Sequence, residues 1–366
     1  MDNLLVGLTN LTPGNVVMFA VAALLIYLAI KRDYEPMLLL PIGFGAILAN
    51  IPNSSAVGEH GFLSTLYEAG IITELFPILI FIAIGAMMDF SPLLKMPIML
   101  VFGAAAQFGI FFTMMLAALA GFDLKEAAAI GIIGAADGPT AIFVATRFAQ
   151  HFLGPISVAA YSYMALVPII QPPVIRLLTT SAERRIRMEY RSISVSKTAR
   201  IFFPIAITLL AGILAPISVA LVGSLMFGNL IRESGVVERL SQAAQNELAN
   251  LVTLLLGITI GSTMTADQFL APATLLIIGM GLVAFVADTA AGVLFAKALN
   301  YLIPQKINPM IGACGISAFP MSARVVHRMG LKEDPQNFLL MNAAGANVAG
   351  QLASIMAGGL ILALVG

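Results

Sequence analysis

Asp137 is the residue whose position most demands a chemical purpose. It lies in "GIIGAADGPTAIF" (131–143), inside an apolar stretch, and the helix breakers Gly138 and Pro139 follow it at once. A carboxylate at the centre of a bilayer costs roughly 2.5–3.5 kcal/mol on insertion scales, so it needs a partner or a function. No basic residue precedes it closely, and Arg147 stands near the far end of its segment. A transported cation, Na+ or a proton, is the natural partner. The plainer alternatives are an acid that stays protonated or a cap on a broken half-helix.

Other oxygen donors recur in two places. "NPMIGACGISAFPMSARVVHR" (308–328) carries Asn308, Ser317 and Ser322, and "MNAAGANVAGQ" (341–351) carries Asn342, Asn347 and Gln351. Such hard oxygens suit Na+ better than a soft metal. Asn347 and Gln351 stand four apart, on one helix face. The small residues between them also allow close helix packing, which alone would explain the pattern. Tyr163 and Gln171 sit in "YSYMALVPIIQPP" (161–173), where a buried tyrosine either satisfies a carbonyl or moves a proton. Asp288, in "AFVADTAAG" (284–292), reads equally as a second cation site, a proton carrier or a helix-contact hydrogen bond. Arg324 either meets an anionic group arriving from the cytosol or simply snorkels. His60, His151 and His327 form no catalytic-triad spacing, and no glycine-rich phosphate loop occurs.

The elements that must hold these residues follow from composition. Of 366 residues 59% are hydrophobic and only 10% charged, against about 25% charged in an ordinary soluble domain. Mean hydropathy is +0.96. The apolar blocks approach the ~20 residues that cross a bilayer as helix, and they lack the alternation of a membrane barrel. The chain therefore reads as an all-α polytopic membrane protein. Formal net charge is zero, which gives no sign of nucleic acid, and the single Cys314 excludes an internal disulfide. The start "MDNLLVGLTNLTPGN" has no basic n-region, so the first helix is expected to stay in the membrane.

Eleven crossings are expected, near 14–30, 37–52, 71–88, 97–120, 126–148, 153–178, 201–228, 249–264, 270–298, 308–325 and 338–365. Stretches 57–69 and 231–247 read as amphipathic surface segments. The chain also resembles itself: "IGAMMDFSPLLKMPIMLVFG" (84–103) lies against "IGSTMTADQFLAPATLLIIG" (260–279), and 132–144 against 310–322. This predicts an N-terminal helix (1–36), a first repeat (37–178), a basic loop (179–200) and a second repeat (201–366). Five crossings per unit make the repeat inverted, with a broken helix in each: 126–148 at Gly138-Pro139, and 308–325 around Gly312, Gly315 and Pro320. Inverted-repeat transporters bind ions between such segments. Arg184, Arg185, Arg187, Arg191, Lys197 and Arg200 put the loop in the cytoplasm, the N-terminus inside and the C-terminus outside, although Lys31 and Arg32 then fall outside.

The motifs at 131–143, 161–173, 308–328 and 341–351 together are similar to the β-subunit of the bacterial biotin-dependent, sodium-pumping decarboxylases, which act on oxaloacetate, glutaconyl-CoA or methylmalonyl-CoA. The resemblance covers essentially the whole chain, most strongly from about residue 84, and a shorter front favours a CoA ester. It implies that a carboxyltransferase α-subunit passes CO2 to biotin on a separate carrier protein. The β-subunit, in the bacterial inner membrane, then decarboxylates carboxybiotin, taking up a proton and exporting Na+. A small single-helix subunit and a β-subunit homo-oligomer are also implied. Matched motif by motif, the family's functional residues fall on Asp137, Tyr163, Asn308, Gly312, Ser317, Arg324 and Asn347. The expected roles are Na+ binding by Asp137, Asn308, Ser317 and Asn347, carboxybiotin docking at Arg324, and proton delivery by Tyr163 assisted by Ser317. Asn342 and Asp288 are further candidates. Without the resemblance, a Na+/H+ exchanger or a Na+-coupled organic-anion symporter fits as well.

Overall fold

Lipid offers a peptide group no hydrogen bond, so long apolar runs close their own as helix. The computed structural model describes residue 7 and residues 9–188 and 194–366, and is helical with no strand among them; Arg191 of the basic loop lies outside the described residues. Six helices are long and apolar enough to cross a membrane, or up to eight if each of two bent pairs counts as one span. The first half contains α1 (Pro13–Arg32), α2 (Pro36–Asn50), α3 (Leu75–Met87), α4 (Phe108–Leu119), α5 (Leu124–Gly131), α6 (Gly138–Phe148) and α7 (Leu153–Leu178). The second contains α8 (Lys197–Leu214), α9 (Val219–Ser234), α10 (Ala249–Ser262), α11 (Pro272–Leu302), α12 (Met321–Glu333) and α13 (Leu340–Val365).

Local chemistry explains the ends. Thr12 and Asn15 cap α1 reciprocally, and Lys31 and Arg32 complement the carbonyl end of its dipole. The expected single crossing at 201–228 is instead two helices, α8 and α9, joined at Pro216–Ser218. Pro216 has no N–H with which to continue a helix. Nor is 231–247 a separate surface helix, because Glu238–Ser262 runs on as one candidate span. Stretch 57–69 falls partly in the helical piece Phe62–Ile72, which bends 63° from α3.

Two helix pairs form a frame. A Cβ added at Gly45 or Gly261 would overlap the carbonyl of Ile258 or Ile42, so α2 and α10 touch backbone to backbone. α3 and α9 do the same, through Gly85 against Leu225 and Gly228 against Ile82. Each pair is locked by an asparagine. Asn50 Nδ2 donates to Met264 O at 2.7 Å, and Asn229 Nδ2 donates to Met88 O at 2.9 Å. A π-helical turn precedes α3 (Tyr67–Ile72) and another precedes α10 (Ala244–Leu248).

The broken segments, expected as crossings, double back. In the first, α5 enters, a 3-10 turn covers Ile132–Ala135 and α6 returns. Its two ends meet where Glu126 pairs with His151 at 2.9 Å and Lys125 lies over the Phe148 ring. In the second, a 3-10 turn (Pro309–Gly315) leads in and α12 leads out. Both of its ends reach Arg184: Asn308 Nδ2 donates to the Arg184 carbonyl at 2.8 Å, and Arg184 Nε donates to Glu333 at 2.6 Å. The 11 residues of α6 and 13 of α12 extend about 16 and 20 Å at 1.5 Å per residue. Neither spans the ~30 Å hydrocarbon core. The hairpin mouths lie at opposite ends of α7, which starts just after His151 and ends just before Arg184.

Candidate functional site

The tips of the two hairpins meet. Ser317 N–H donates to Ala135 O at 3.0 Å, joining unwound backbone from each half. Ala136 takes a left-handed conformation (φ 52°), and Asp137 is extended at the N-cap of α6. The break thus lies at Ile132–Asp137 rather than at Gly138-Pro139, because Pro139 in the first turn starts a helix with its φ already set. Gly138 is glycine for a different reason: a Cβ there would overlap the Tyr161 ring.

Asp137 is 2% exposed. Its Oδ1 accepts the Thr140 N–H at 3.3 Å, and its Oδ2 accepts Gln351 Nε2 at 2.8 Å and Ser354 Oγ at 2.5 Å. The helix N-terminus adds partial positive charge, but among the described residues no basic side chain bonds to Asp137. α13 passes both tips. Asn347 Nδ2 donates to Ile316 O at 2.7 Å, and Ser317 Oγ donates to Gly350 O at 3.2 Å. Two buried oxygens, Thr140 Oγ1 and Asn347 Oδ1, have no hydrogen-bond partner. The result is a buried, oxygen-rich cluster with one carboxylate, a donor set suited to a small hard monovalent cation.

A second tier holds the tip. Gln171 Nε2 donates to Ala313 O at 2.8 Å, while Ser322 Oγ bonds Gln171 Oε1 at 2.9 Å and Ala313 O at 3.0 Å. Gly312 lies against the Gly292 backbone of α11, too close for a Cβ at either position. Cys314, beside Ala313, is buried.

The other expected site residues sit elsewhere. Asn308 caps the second hairpin at its mouth, its amide donating to the carbonyls of Arg184 and Ile186. The structure therefore does not bring it to Asp137. Tyr163 donates its hydroxyl to Ile278 O on α11 and stacks on Phe285. Asn342 reaches the Met188 carbonyl at 3.5 Å. Arg324 is exposed in the first turns of α12. It acts electrostatically on Glu35, whose carboxyl burial pushes up and Arg324 pulls down. Asp288 accepts Gly109 N–H at 3.2 Å. Sequence reasoning did not single out Thr140, Tyr161 or Ser354. Thr140 stands three after Asp137, the N-cap spacing. Ser354 is three after Gln351 and seven after Asn347, one helix face.

The model of the "Na+-transporting oxaloacetate decarboxylase beta subunit" family matches residues 14–365. The chain belongs to that family. It is 50% identical to the glutaconyl-CoA decarboxylase subunit beta of Acidaminococcus fermentans, covering 98% of this chain and 96% of the relative. It is 48% identical to the methylmalonyl-CoA decarboxylase subunit beta of Propionigenium modestum, over 98% and 97%. To the oxaloacetate decarboxylase beta chain of Haemophilus ducreyi it is 45% identical, over 97% and 96%. As a member of the sodium-transporting decarboxylase beta family it is a multi-pass helical membrane protein, and the exchanger or symporter reading is not favoured.

Proposed function

We propose that this beta-family chain decarboxylates carboxybiotin and couples that step to Na+ export, with Na+ bound where the hairpin tips meet. The observation that carries this is Asp137, buried between two unwound tips beside the unpartnered oxygens of Thr140 and Asn347. Asp137 supplies the charge, Asn347 and Thr140 supply oxygens, and Ser317 holds the tips in register. Asn308 supports the second hairpin at its mouth rather than ligating the ion. Biotin, carried by a separate carrier protein and loaded by a carboxyltransferase α-subunit, presents its carboxylate to exposed Arg324. Decarboxylation breaks the N–CO2 bond, and the ureido nitrogen takes a proton as CO2 leaves. Tyr163 is the expected donor, and giving up its proton first requires releasing the Ile278 carbonyl. A small single-helix subunit and further copies of the chain complete the assembly in the bacterial inner membrane. The greater identity to the two CoA-ester relatives supports a CoA-ester enzyme.

The same reading includes an inverted repeat of five spans and one re-entrant hairpin per half: α1, α2, α3, α4 and α7, then α8, α9, α10, α11 and α13. The matched Asn50 and Asn229 locks and the paired π turns support it. The helix set apart as residues 1–36 then joins the first unit. Basic residues at the second mouth put that side in the cytoplasm. Gly14 packs against Ala266, and neighbouring Thr263 against Gly154 at the first mouth, so α1 begins outside. This reverses the expected inside N-terminus and moves Lys31 and Arg32 to the cytoplasmic side.

The test is Asp137→Asn in the reconstituted complex. Both Na+ transport and Na+-stimulated carboxybiotin decay should vanish; decay at the wild-type rate would overturn the reading.

A further inference from the structure

α11 runs past both hairpins. Near one end of this face Gly281 meets Tyr163 of α7 and Ile133 of the first hairpin, and near the other Gly292 meets Gly312 of the second. Between them, on the same face, is Asp288, 1% exposed. It faces the start of α4, where the helix is interrupted at Ala106–Gln107 and the Gly109 N–H has no carbonyl of its own helix to bond. Asp288 Oδ1 accepts that N–H, and a Cβ at Gly109 would come within 2.7 Å of the carboxyl group. Its Oδ2 has no partner, and the neighbouring Thr289 Oγ1 has none either.

Among the described residues no cationic side chain bonds this carboxyl. The stretch Met99–Leu119, which faces it, contains no ionisable side chain. α7 contributes Tyr163, bonded to Ile278, and the second hairpin contributes the buried thiol of Cys314. In the first hairpin Asp137 is held by Gln351 and Ser354, and Lys125 and Glu126 are at the mouth. On α11 itself, Lys297 pairs with Glu183. One free carboxyl oxygen, with the Thr289 hydroxyl as its one unpartnered neighbour, is too few for Na+. A bare carboxylate in such a place is disfavoured far more than a neutral acid lacking one hydrogen bond. The first half has Phe112 at the matching position, so the fold does not require an acid there.

We propose that Asp288 is a proton-binding site of the transport cycle, separate from the Na+ pocket, holding a proton in the conformation described and releasing it when α4 and α11 part. The inference rests on the reading of the Asp137 pocket as the Na+ site. Proton balance is simple: the carboxylic acid gives up H+ to water when exposed and regains it on closure. Asp288→Asn tests it, because the amide keeps the shape and the acceptor for Gly109 yet cannot release a proton. In the reconstituted decarboxylase complex this variant should still be stabilised against heat by Na+. It should transport Na+ at least tenfold more slowly and lose its pH dependence, with Asp288→Glu restoring part of both. The infrared carbonyl band of a protonated carboxyl should weaken during turnover in the wild type and be missing in Asp288→Asn. A wild-type rate and pH profile in Asp288→Asn, with Asp137→Asn inactive, overturns the proton site and leaves the Na+ reading standing. So does a carboxyl band that stays constant through turnover.

Discussion

Asn347 uses one side chain for two tasks. Its amide N–H ties α13 to the Ile316 carbonyl, and its Oδ1 is left for a ligand. Asn347→Ala should raise the Na+ concentration for half-maximal decarboxylation at least tenfold, about 1.4 kcal/mol of binding, measured by Na+ titration of the purified complex. Gln171 differs because it touches no ligand. Gln171→Ala leaves the Ala313 carbonyl with Ser322 as its one side-chain donor and should cost about 0.5–1.5 kcal/mol of stability, read as a lower melting temperature. Asp137 was legible in the sequence because a charge in an apolar run has few explanations. Thr140 and Ser354 were not, because isolated hydroxyls in membrane helices usually bond their own backbone. The place of Asn308 at the hairpin mouth was not legible either, because the same side chain that can ligate an ion also caps a 3-10 turn.

The hairpins carry the lesson of element scale. Hydropathy cannot distinguish one crossing from two half-crossings, since 124–148 has the length and apolarity of either. Only the meeting of Glu126 with His151, and of Asn308 and Glu333 with Arg184, reveals that the chain returns. Pro216, by contrast, was a readable stop inside 201–228. The frame helices make a firm prediction. Gly85→Ala or Gly261→Ala forces a methyl into a carbonyl of the partner helix and should destabilise by roughly 1–3 kcal/mol, measurable by heating the detergent-solubilised protein.

For the whole molecule, the basic segment after α7 is more than a topology signal. Arg184 binds Glu333 and Arg187 binds Asp334, closing the second mouth, and both acids are held below their ordinary values by those guanidiniums. Such groups stabilise the folded state fully above their unfolded values, about 4. That stability fades as pH falls through the lower folded values. Acid should therefore loosen this mouth, giving lower hydrogen-exchange protection at 308–333, after correction for the intrinsic pH dependence of exchange, below about pH 4 than at pH 7. Arg184→Gln should show the same loosening at neutral pH.

Cys314 lies inside the second hairpin, shielded from solvent and next to the Ala313 carbonyl that Gln171 grips. The natural chain has no other thiol. A maleimide probe therefore has a single target, and its labelling rate is a clock for how often that tip unlatches. Slow labelling at rest and rapid labelling with Na+ and carboxylated carrier present would time the stroke without altering one residue.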